Sequence, residues 1–222
     1  VKGQLVKGNL VTKFPVRKIE LAEKGVSTLS AREIWLDETI MRLNDEGRGR
    51  LLGRFHGDDR IVEITSGGEL RMLTYDFTTH FETDSPVICR WKKGMVVTAV
   101  YYDGERKRYY VKRFSPEKTQ RPDVFISQSK GSFLAFVSVD YLPQIKVSFA
   151  REKGKEKRED EIINLAEFIA VKGFKAIGNQ LSSDKVKTIT ALEPLPYEEV
   201  EDEEEDDDVM EGAEDEIDEV DE

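Results

Sequence analysis

The sequence predicts an all-β fold made of small antiparallel sheets. Two observations support this expectation. Short runs of apolar and β-branched residues recur along the chain, each bounded by glycine or by charged turn residues. Similar turn-to-strand units also recur at irregular spacings of roughly 30 to 60 residues, which is typical of radially repeated β structures.

The first of these segments, "SAREIWLDETIMRL", is ambiguous when its local pattern is considered alone. Ser30 stands three residues before Glu33, which is a capping-box pattern for the start of a helix. Apolar residues at helical spacing follow, namely Ile34, Trp35, Ile40, Met41 and Leu43. Local reasoning therefore favours a helix here, and the later stretch "EKREDEIINLAEFIAV" is ambiguous in the same way.

Three hairpins are predicted in the middle of the chain. The clearest lies in "DDRIVEITSGGELRMLTYDF", with Gly67-Gly68 as its turn and these apolar residues in its arms: Ile61, Val62, Ile64, Leu70, Met72 and Leu73. A second lies in "GMVVTAVYYDGERKRYYVKRF", where Asp103-Gly104 tolerates positive φ. A third pairs "SFLAFVSVD" with "QIKVSFA" across Tyr141-Leu142-Pro143. Pro143 must lie at the turn or at a sheet edge, because it has no N–H to donate to a ladder.

Five turns lead into apolar residues that alternate with basic residues. They lie at Lys7-Gly8, Gly67-Gly68, Asp103-Gly104, Leu142-Pro143 and Lys172-Gly173. Each unit is a candidate for one small sheet of the repeated structure.

The charge of the chain is divided between two regions. The formal net charge of -11 would argue against a polyanionic ligand, because phosphate binding depends on Lys and Arg. However, 18 of the 45 acidic residues lie between Glu198 and Glu222, where no basic residue occurs. Residues 1–197 therefore hold 27 acids against all 34 bases, which gives this part of the chain a net charge of +7.

The acidic region 198–222 is predicted to be a disordered tail. It has no aromatic residue after Tyr197 and cannot bury enough apolar surface to offset the entropy of ordering, and Pro194 and Pro196 mark its boundary. Residues 1–197 then form one folded domain. The tail is expected either to aid solubility alone or to act as a polyanion that competes with a ligand for the basic surface.

Several function classes are disfavoured by the sequence. It contains no Walker loop, nucleophile elbow or Ser/His/Asp arrangement, so we do not expect an enzyme active site. Cys89 is the single cysteine, and His56 and His80 lack metal-ligand spacing, so neither a metal nor a cofactor is expected. The chain begins at Val1 without a visible signal peptide, and no apolar run approaches the roughly 18 residues of a membrane span. We therefore expect a piece of a cytoplasmic protein that has no contact with a membrane.

A family pattern is found in "REIWLDETIMRLNDEGRGRLLGRF". An apolar strand ends in Asp37 and Glu38, Arg42 follows, Gly47-Arg48-Gly49 forms a turn, and a second apolar strand contains Leu51 and Leu52. This pattern resembles the C-terminal repeats of bacterial type IIA topoisomerase A subunits. The segments "VTKFPVRKIELAEKGVSTLSAR" and "EFIAVKGFKAIGNQLSSDKVKTITALEP" are similar to topoisomerase IV, especially to sequences from bacteroidetes. The resemblance covers nearly all of residues 1–197 and implies strand, turn and strand where the local pattern favours a helix.

The resemblance also implies a fold and a function. The fold is a β-pinwheel, a propeller-like disc of antiparallel blades that exchange strands with their neighbours and whose perimeter binds and bends double-stranded DNA. The holoenzyme uses ATP and Mg²⁺ and contains the N-terminal domain of the A subunit, which carries the active-site tyrosine, together with the B subunit. The gyrase glutamine-arginine-arginine-glycine-glycine-lysine-glycine box is absent here, and Gly47-Arg48-Gly49-Arg50 is at best a degenerate form of it. The resemblance is therefore closer to topoisomerase IV, a cytoplasmic, nucleoid-associated enzyme of chromosome segregation, and strong wrapping of DNA is not expected.

The candidate DNA-binding residues are Lys and Arg residues on turns and on outward strand positions. Such residues can follow a phosphate backbone without reading the edges of the nucleobases. They are Lys13, Arg17, Lys18, Arg42, Arg48, Arg50, Arg54, Lys92, Lys93, Arg106, Lys107, Arg108, Lys112, Arg113, Lys172 and Lys175. A single cluster of this kind can be an ordinary solvated surface, but several clusters on different units favour a continuous basic rim. The aromatic residues Trp35, Trp91, Tyr101, Tyr102, Tyr109 and Tyr110 are expected to pack the blades rather than to stack on bases. An alternative function is a propeller-type protein-interaction module whose acidic tail recruits basic proteins.

Overall fold

A computed structural model describes residues 31–57, 59–116, 122–151 and 158–197 of the 222-residue chain. Three features predicted from the sequence lie outside the described residues. These are the basic patch of Lys13, Arg17 and Lys18, the unit at Lys7-Gly8 and the acidic tail.

The described residues form an almost entirely β structure. In chain order the elements are β1 (Arg32–Asp37), β2 (Arg42–Asn44), β3 (Arg50–Phe55), β4 (Arg60–Ile64), β5 (Glu69–Thr74), β6 (Val87–Arg90), β7 (Val97–Asp103), β8 (Arg108–Phe114), β9 (Asp123–Val124), β10 (Phe133–Ser138), β11 (Gln144–Phe149), β12 (Glu161–Asn164), α1 (Leu165–Phe168), β13 (Asn179–Gln180) and β14 (Val186–Leu192). The strands form four antiparallel sheets, ordered β2-β1-β3, β6-β4-β5-β9, β10-β7-β8-β13 and β12-β11-β14. The predicted all-β class is confirmed, and in the described part of the chain no helix has the length and apolarity needed to cross a membrane.

The first sheet shows that the segment "SAREIWLDETIMRL" contains a strand, β1, where the local pattern favoured a helix. Ile34 and Leu36 are fully buried whereas their neighbours in β1 are not, so burial follows the period of two that a strand requires. The helical interpretation of this segment was wrong, and the strand-turn-strand implied by the resemblance is confirmed. Gly47 and Gly49 both have positive φ, and a Cβ on Gly49 would lie 2.1 Å from the carbonyl oxygen of Leu36. The turn before β3 therefore depends on glycine.

The second and third sheets each lie between two apolar cores. In β4, Ile61 packs in a core shared with the first sheet, whereas Val62 and Ile64 pack in a core shared with the third sheet. In β7, Ala99 belongs to that second core and Val100 to a third core shared with the fourth sheet. The central strands are consequently apolar on both faces.

Two of the three predicted hairpins are present. β4 pairs with β5 through the Gly67-Gly68 turn, and β7 pairs with β8 from Val97↔Phe114 to Asp103↔Arg108. The third prediction identified two strands correctly but paired them wrongly, because β10 pairs with β7 and β11 pairs with β12 and β14. β10 contributes to both cores, Leu134 to the second and Phe136 to the third, whereas Ile145 of β11 packs in the third. Pro143 lies in the connection just before β11.

The ambiguous segment near residue 160 combines both structures. It forms β12 and then the single helical turn α1, where the side chain of Asn164 accepts a hydrogen bond from the N–H of Ala166 at 3.0 Å. The unit at Lys172-Gly173 does not lead directly into a strand; the next strand is the two-residue β13.

Short strands are exchanged between sheets. β9 follows the third-sheet strand β8 but pairs with β5 of the second sheet, and β13 follows α1 but pairs with β8 of the third sheet. These exchanges link the second, third and fourth sheets, whereas the first sheet joins the second through their shared core.

Candidate functional site

Four candidate arginines lie at or near the turns of the first sheet: Arg42, Arg48, Arg50 and Arg54. All four are exposed, but two are already paired with carboxylates. Arg48 contacts Glu46 at 3.1 Å, and Arg50 contacts Glu38 at 3.0 Å. Because these ion pairs are exposed they are weak, yet they neutralise half of the cluster.

A groove next to the first sheet brings Arg50 near a second predicted cluster. Lys92 and Lys93 lie on the turn between β6 and β7 and line a cavity of about 880 Å³, together with Arg90 and Cys89. Burial raises the pKa of the Cys89 thiol to about 11, although the positive charges of Arg50 and Lys92 act in the opposite direction. The groove itself is lined by Arg90, Lys92 and Lys93 and by one acid, Asp140. Arg90, which sequence reasoning missed, contacts Asp59 at 2.9 Å there.

The end of the β7–β8 hairpin is the second basic site. We call Arg106, Lys107, Arg108 and Lys130 the basic tip; all four side chains are exposed, and within the described ranges none forms a salt bridge with a carboxylate. The guanidinium of Arg108 donates to the carbonyl oxygen of Ser183 at 3.0 Å, and that of Arg106 lies 5.8 Å from the ring centroid of Tyr110. Glu105 is also exposed in this turn.

The turn at the basic tip differs from the sequence prediction. Positive φ occurs at Lys107 rather than at Asp103 or Gly104. Gly104 is required for a different reason, because a Cβ there would lie 2.1 Å from the carbonyl oxygen of Lys130. This close approach brings Lys130 beside the hairpin. Sequence reasoning missed Lys130 because it stands alone between polar residues in "SQSKGS".

Asp103 organises the turn from inside. Its carboxylate accepts hydrogen bonds from the backbone N–H groups of Glu105 and Arg106, at 3.0 and 3.1 Å, and from the hydroxyl of Ser129 at 3.2 Å. Burial would raise the pKa of this carboxyl, but these hydrogen bonds together with the positive charge of Arg106 outweigh burial and lower it. The basic tip is therefore held on a preorganised loop.

Two predicted phosphate ligands are buried instead. The Lys112 ammonium donates to the carbonyl oxygen of Phe125 at 2.7 Å and lies 5.3 Å from the ring centroids of Phe114 and Phe174. Burial lowers its pKa to about 8. Lys112 is 2% exposed and Arg113 is 7% exposed. Both residues therefore belong to the interior rather than to a phosphate-binding surface.

Arg113 joins the third sheet to the loops around it. Its guanidinium donates to the carbonyl oxygens of Ala166 at 3.1 Å and Tyr141 at 3.4 Å, and its Nε donates to the hydroxyl of Thr98 at 3.2 Å. Burial lowers the pKa of this group. Its donors are thus used within the fold.

The last predicted pair lies on the other side of β8. Lys172 and Lys175 are exposed, and their ammonium groups contact Asn179 at 3.0 Å and Asp123 respectively. Lys175 lines a cavity of about 280 Å³ together with Arg106 and Lys112. The fold thus brings two clusters that are distant in sequence to one pocket.

The predicted packing role of the aromatic residues holds for Tyr101, which is buried in the second core. Trp91 and Tyr110 are partly buried against the same core. Tyr109 is partly buried against the third core. It also forms ring contacts with Tyr102 and Phe133 at the end of the third sheet, where Phe133 is exposed.

Comparisons with known proteins identify the family of this domain. The model of the topoisomerase C-terminal domain of Bacteroidota matches residues 42–193, which is more than half of the chain and includes strands of all four sheets. No curated protein matches the chain significantly. A C-terminal domain of this kind is consistent with a non-catalytic part of a topoisomerase. The chain therefore belongs to the Bacteroidota family of topoisomerase C-terminal domains.

Proposed function

We propose that this domain binds double-stranded DNA without sequence specificity, bends it, and presents it to a type IIA topoisomerase for strand passage. The observation that carries the proposal is the basic tip of this topoisomerase C-terminal domain. Its four basic side chains are exposed, and none forms a salt bridge with a carboxylate among the described residues. Flexible cations of this kind contact phosphates and position DNA rather than read its sequence. The groove with Lys92 and Lys93 supplies a second contact point.

The proposal includes the finer architecture. We infer that the four sheets are blades of a β-pinwheel, because the short strands β9 and β13 leave one sheet to pair with another. A disc of this kind would carry its bases on its perimeter. Bending a site of 20 to 30 base pairs around that perimeter costs roughly 1 to 6 kcal/mol, which additional phosphate contacts offset.

The parent protein is proposed to be the A subunit of a topoisomerase IV in the bacterial cytoplasm. Its partners would be the N-terminal domain of the A subunit and the B subunit, with ATP and Mg²⁺ used by the holoenzyme. The domain itself would deliver DNA segments for relaxation and decatenation.

Binding is tested by fluorescence anisotropy of two 30-base-pair duplexes of unrelated sequence with the full 222-residue chain. Between 50 and 200 mM salt, the logarithm of the association constant should fall by about 0.9 per phosphate contact for each tenfold increase in salt. Both duplexes should bind equally. Affinity no higher than that of a protein without a basic surface, at the lowest salt, would refute the proposal.

The acidic residues 198–222 give a second test. If they compete with DNA for the basic surface, a chain ending at Tyr197 should bind the duplex more tightly, with the largest gain at low salt. Equal affinity at every salt concentration would leave only a solubility role for the tail.

A further inference from the structure

Three aromatic rings meet at the end of the third sheet. Tyr102 of β7 is paired directly with Tyr109 of β8 and with Phe133 of β10. The ring centroids of Tyr102 and Phe133 are 5.4 Å apart with the planes inclined at 24°, which is a stacked arrangement. Tyr109 meets the other two rings edge to face. We call these three residues the aromatic end.

The aromatic end remains partly open to solvent. Phe133 is 47% exposed even though it contacts two other rings, and Tyr102 and Tyr109 are half-buried. Further along the same sheet, Val100 and Val111 are fully buried in the third core. The three rings therefore form an ordered aromatic surface at the open edge of that core.

The basic tip adjoins this surface. Tyr102 and Tyr109 immediately flank the turn that carries Arg106, Lys107 and Arg108, and Lys130 stands three residues before Phe133. The N–H of Gly104 donates a hydrogen bond to the hydroxyl of Ser132 at 3.0 Å, so both turns lie at the same end of the sheet. An exposed aromatic surface beside four basic side chains is suited to a polyanion that also carries flat, unstacked aromatic groups.

We propose that the aromatic end stacks unpaired bases of single-stranded DNA while the basic tip holds the adjoining phosphates. Single-strand binding surfaces combine these two features, since aromatic side chains stack on bases and cations follow the backbone. In an intact duplex the faces of the nucleobases are covered by stacking. Duplex binding therefore uses the Arg and Lys side chains of the basic tip but not the aromatic rings. The inference goes beyond the proposed function and concerns a different form of DNA.

The test compares two probes of equal charge with the full-length chain. One is a twelve-nucleotide oligothymidylate, and the other is a twelve-unit abasic oligonucleotide that has the same phosphates but no bases. Stacking predicts that the oligothymidylate binds at least about 5-fold more tightly. Phe133→Ala should reduce oligothymidylate affinity to the abasic level and leave the affinities for the abasic probe and for duplex unchanged. Equal affinity of the two probes for the unmodified chain would overturn the proposal.

Phe77→Ala is the matched control, because Phe77 is an exposed phenylalanine, at 38%, and lies outside the aromatic end. It should leave all three affinities unchanged, and equal effects of the two alanine variants would also overturn the proposal. Phe133→Leu keeps an apolar side chain and should still lose the preference for bases, which separates stacking from folding. If duplex binding is absent while the preference for oligothymidylate remains, the proposed function fails and this inference stands.

Discussion

The two ends of strand β8 carry the same kind of residue in opposite environments. At its start, Arg106, Lys107 and Arg108 are exposed around the turn. Near its end, Lys112 and Arg113 are buried and use their donors on carbonyl and hydroxyl oxygens of the fold. The difference arises because the third sheet lies between two cores, so that a side chain on either face of the strand is covered.

This comparison separates basic side chains that stabilise the fold from basic side chains that are available to bind DNA. A buried cation costs desolvation free energy and is retained only if hydrogen bonds or ring faces compensate for it. An exposed cation on a turn incurs no such cost. Substitutions at the two ends should therefore affect different measurements.

The largest effect is expected for Arg113→Met, which should destabilise the domain by about 3 kcal/mol. The substitution removes the donor from the buried Thr98 hydroxyl and Ile169 carbonyl oxygen and from the partly buried carbonyl oxygens of Tyr141 and Ala166. Urea unfolding followed by circular dichroism measures the loss. Arg113→Lys keeps the positive charge but has fewer hydrogen-bond donors, so its stability should lie between that of the natural chain and that of Arg113→Met. A loss below about 0.5 kcal/mol for Arg113→Met would show that the buried end of β8 does not depend on this network.

Lys112→Met is the second prediction and concerns pH. Burial lowers the pKa of folded Lys112 from 10.5 to about 8, so between these values the unfolded chain binds more protons. The stability of the natural chain relative to Lys112→Met should therefore rise with pH through this window, by at most about 3 kcal/mol. The comparison is made by urea unfolding at pH 7, 8, 9 and 10. A difference for Lys112→Met that stays flat over these pH values would contradict the prediction.

The exposed end should affect DNA rather than stability. The triple substitution Arg106→Gln, Lys107→Asn and Arg108→Gln is expected to weaken duplex binding roughly 10- to 100-fold near 150 mM salt. The salt dependence should fall by about 0.9 for each lost phosphate contact, and stability should change by less than about 0.5 kcal/mol. Anisotropy titrations measure the affinity. The matched control replaces three exposed bases elsewhere, Arg151, Lys185 and Lys187, with glutamine. An equal loss in the control would mean that the tip has no special role.

Sequence patterns predicted local structure well and long-range pairing poorly. The Gly67-Gly68 hairpin was predictable because the turn and both arms lie within one short stretch. The partner of β10 was not, since Phe133 and Tyr102 are 31 residues apart and no local pattern distinguishes pairing with β7 from pairing with β11. Local pattern also failed at Ile34 and Leu36, where the resemblance to a family supplied the correct strand.

The candidate site was predictable to the extent that charge and turn coincide. Arg106, Lys107 and Arg108 stand in a turn and are exposed, whereas Lys112 and Arg113 lie between Val111 and Phe114 in a strand buried on both faces. A sequence count of bases treats all five alike. Lys130 was missed for the opposite reason, because a single lysine joins the tip through tertiary contacts, including the hydrogen bonds that Ser129 and Ser132 make to the hairpin turn.

The turns of the first sheet provide the smallest prediction, because their arginines are exposed but partly neutralised. Replacing Glu38 and Glu46 with glutamine should release Arg50 and Arg48 from ion pairs of 3.0 and 3.1 Å. Exposed pairs of this kind contribute about 0.2 to 1 kcal/mol each, so duplex affinity should rise only about 2- to 3-fold at low salt. The control replaces Glu159 and Glu193 with glutamine, two exposed acids that have no ion-pair partner among the described residues. Both double variants change the net charge equally. A gain in duplex affinity that occurs only in the Glu38 and Glu46 variant would therefore identify Arg48 and Arg50 as DNA contacts that their own carboxylate partners weaken. Equal gains would instead reflect total charge and would leave the basic tip as the principal contact.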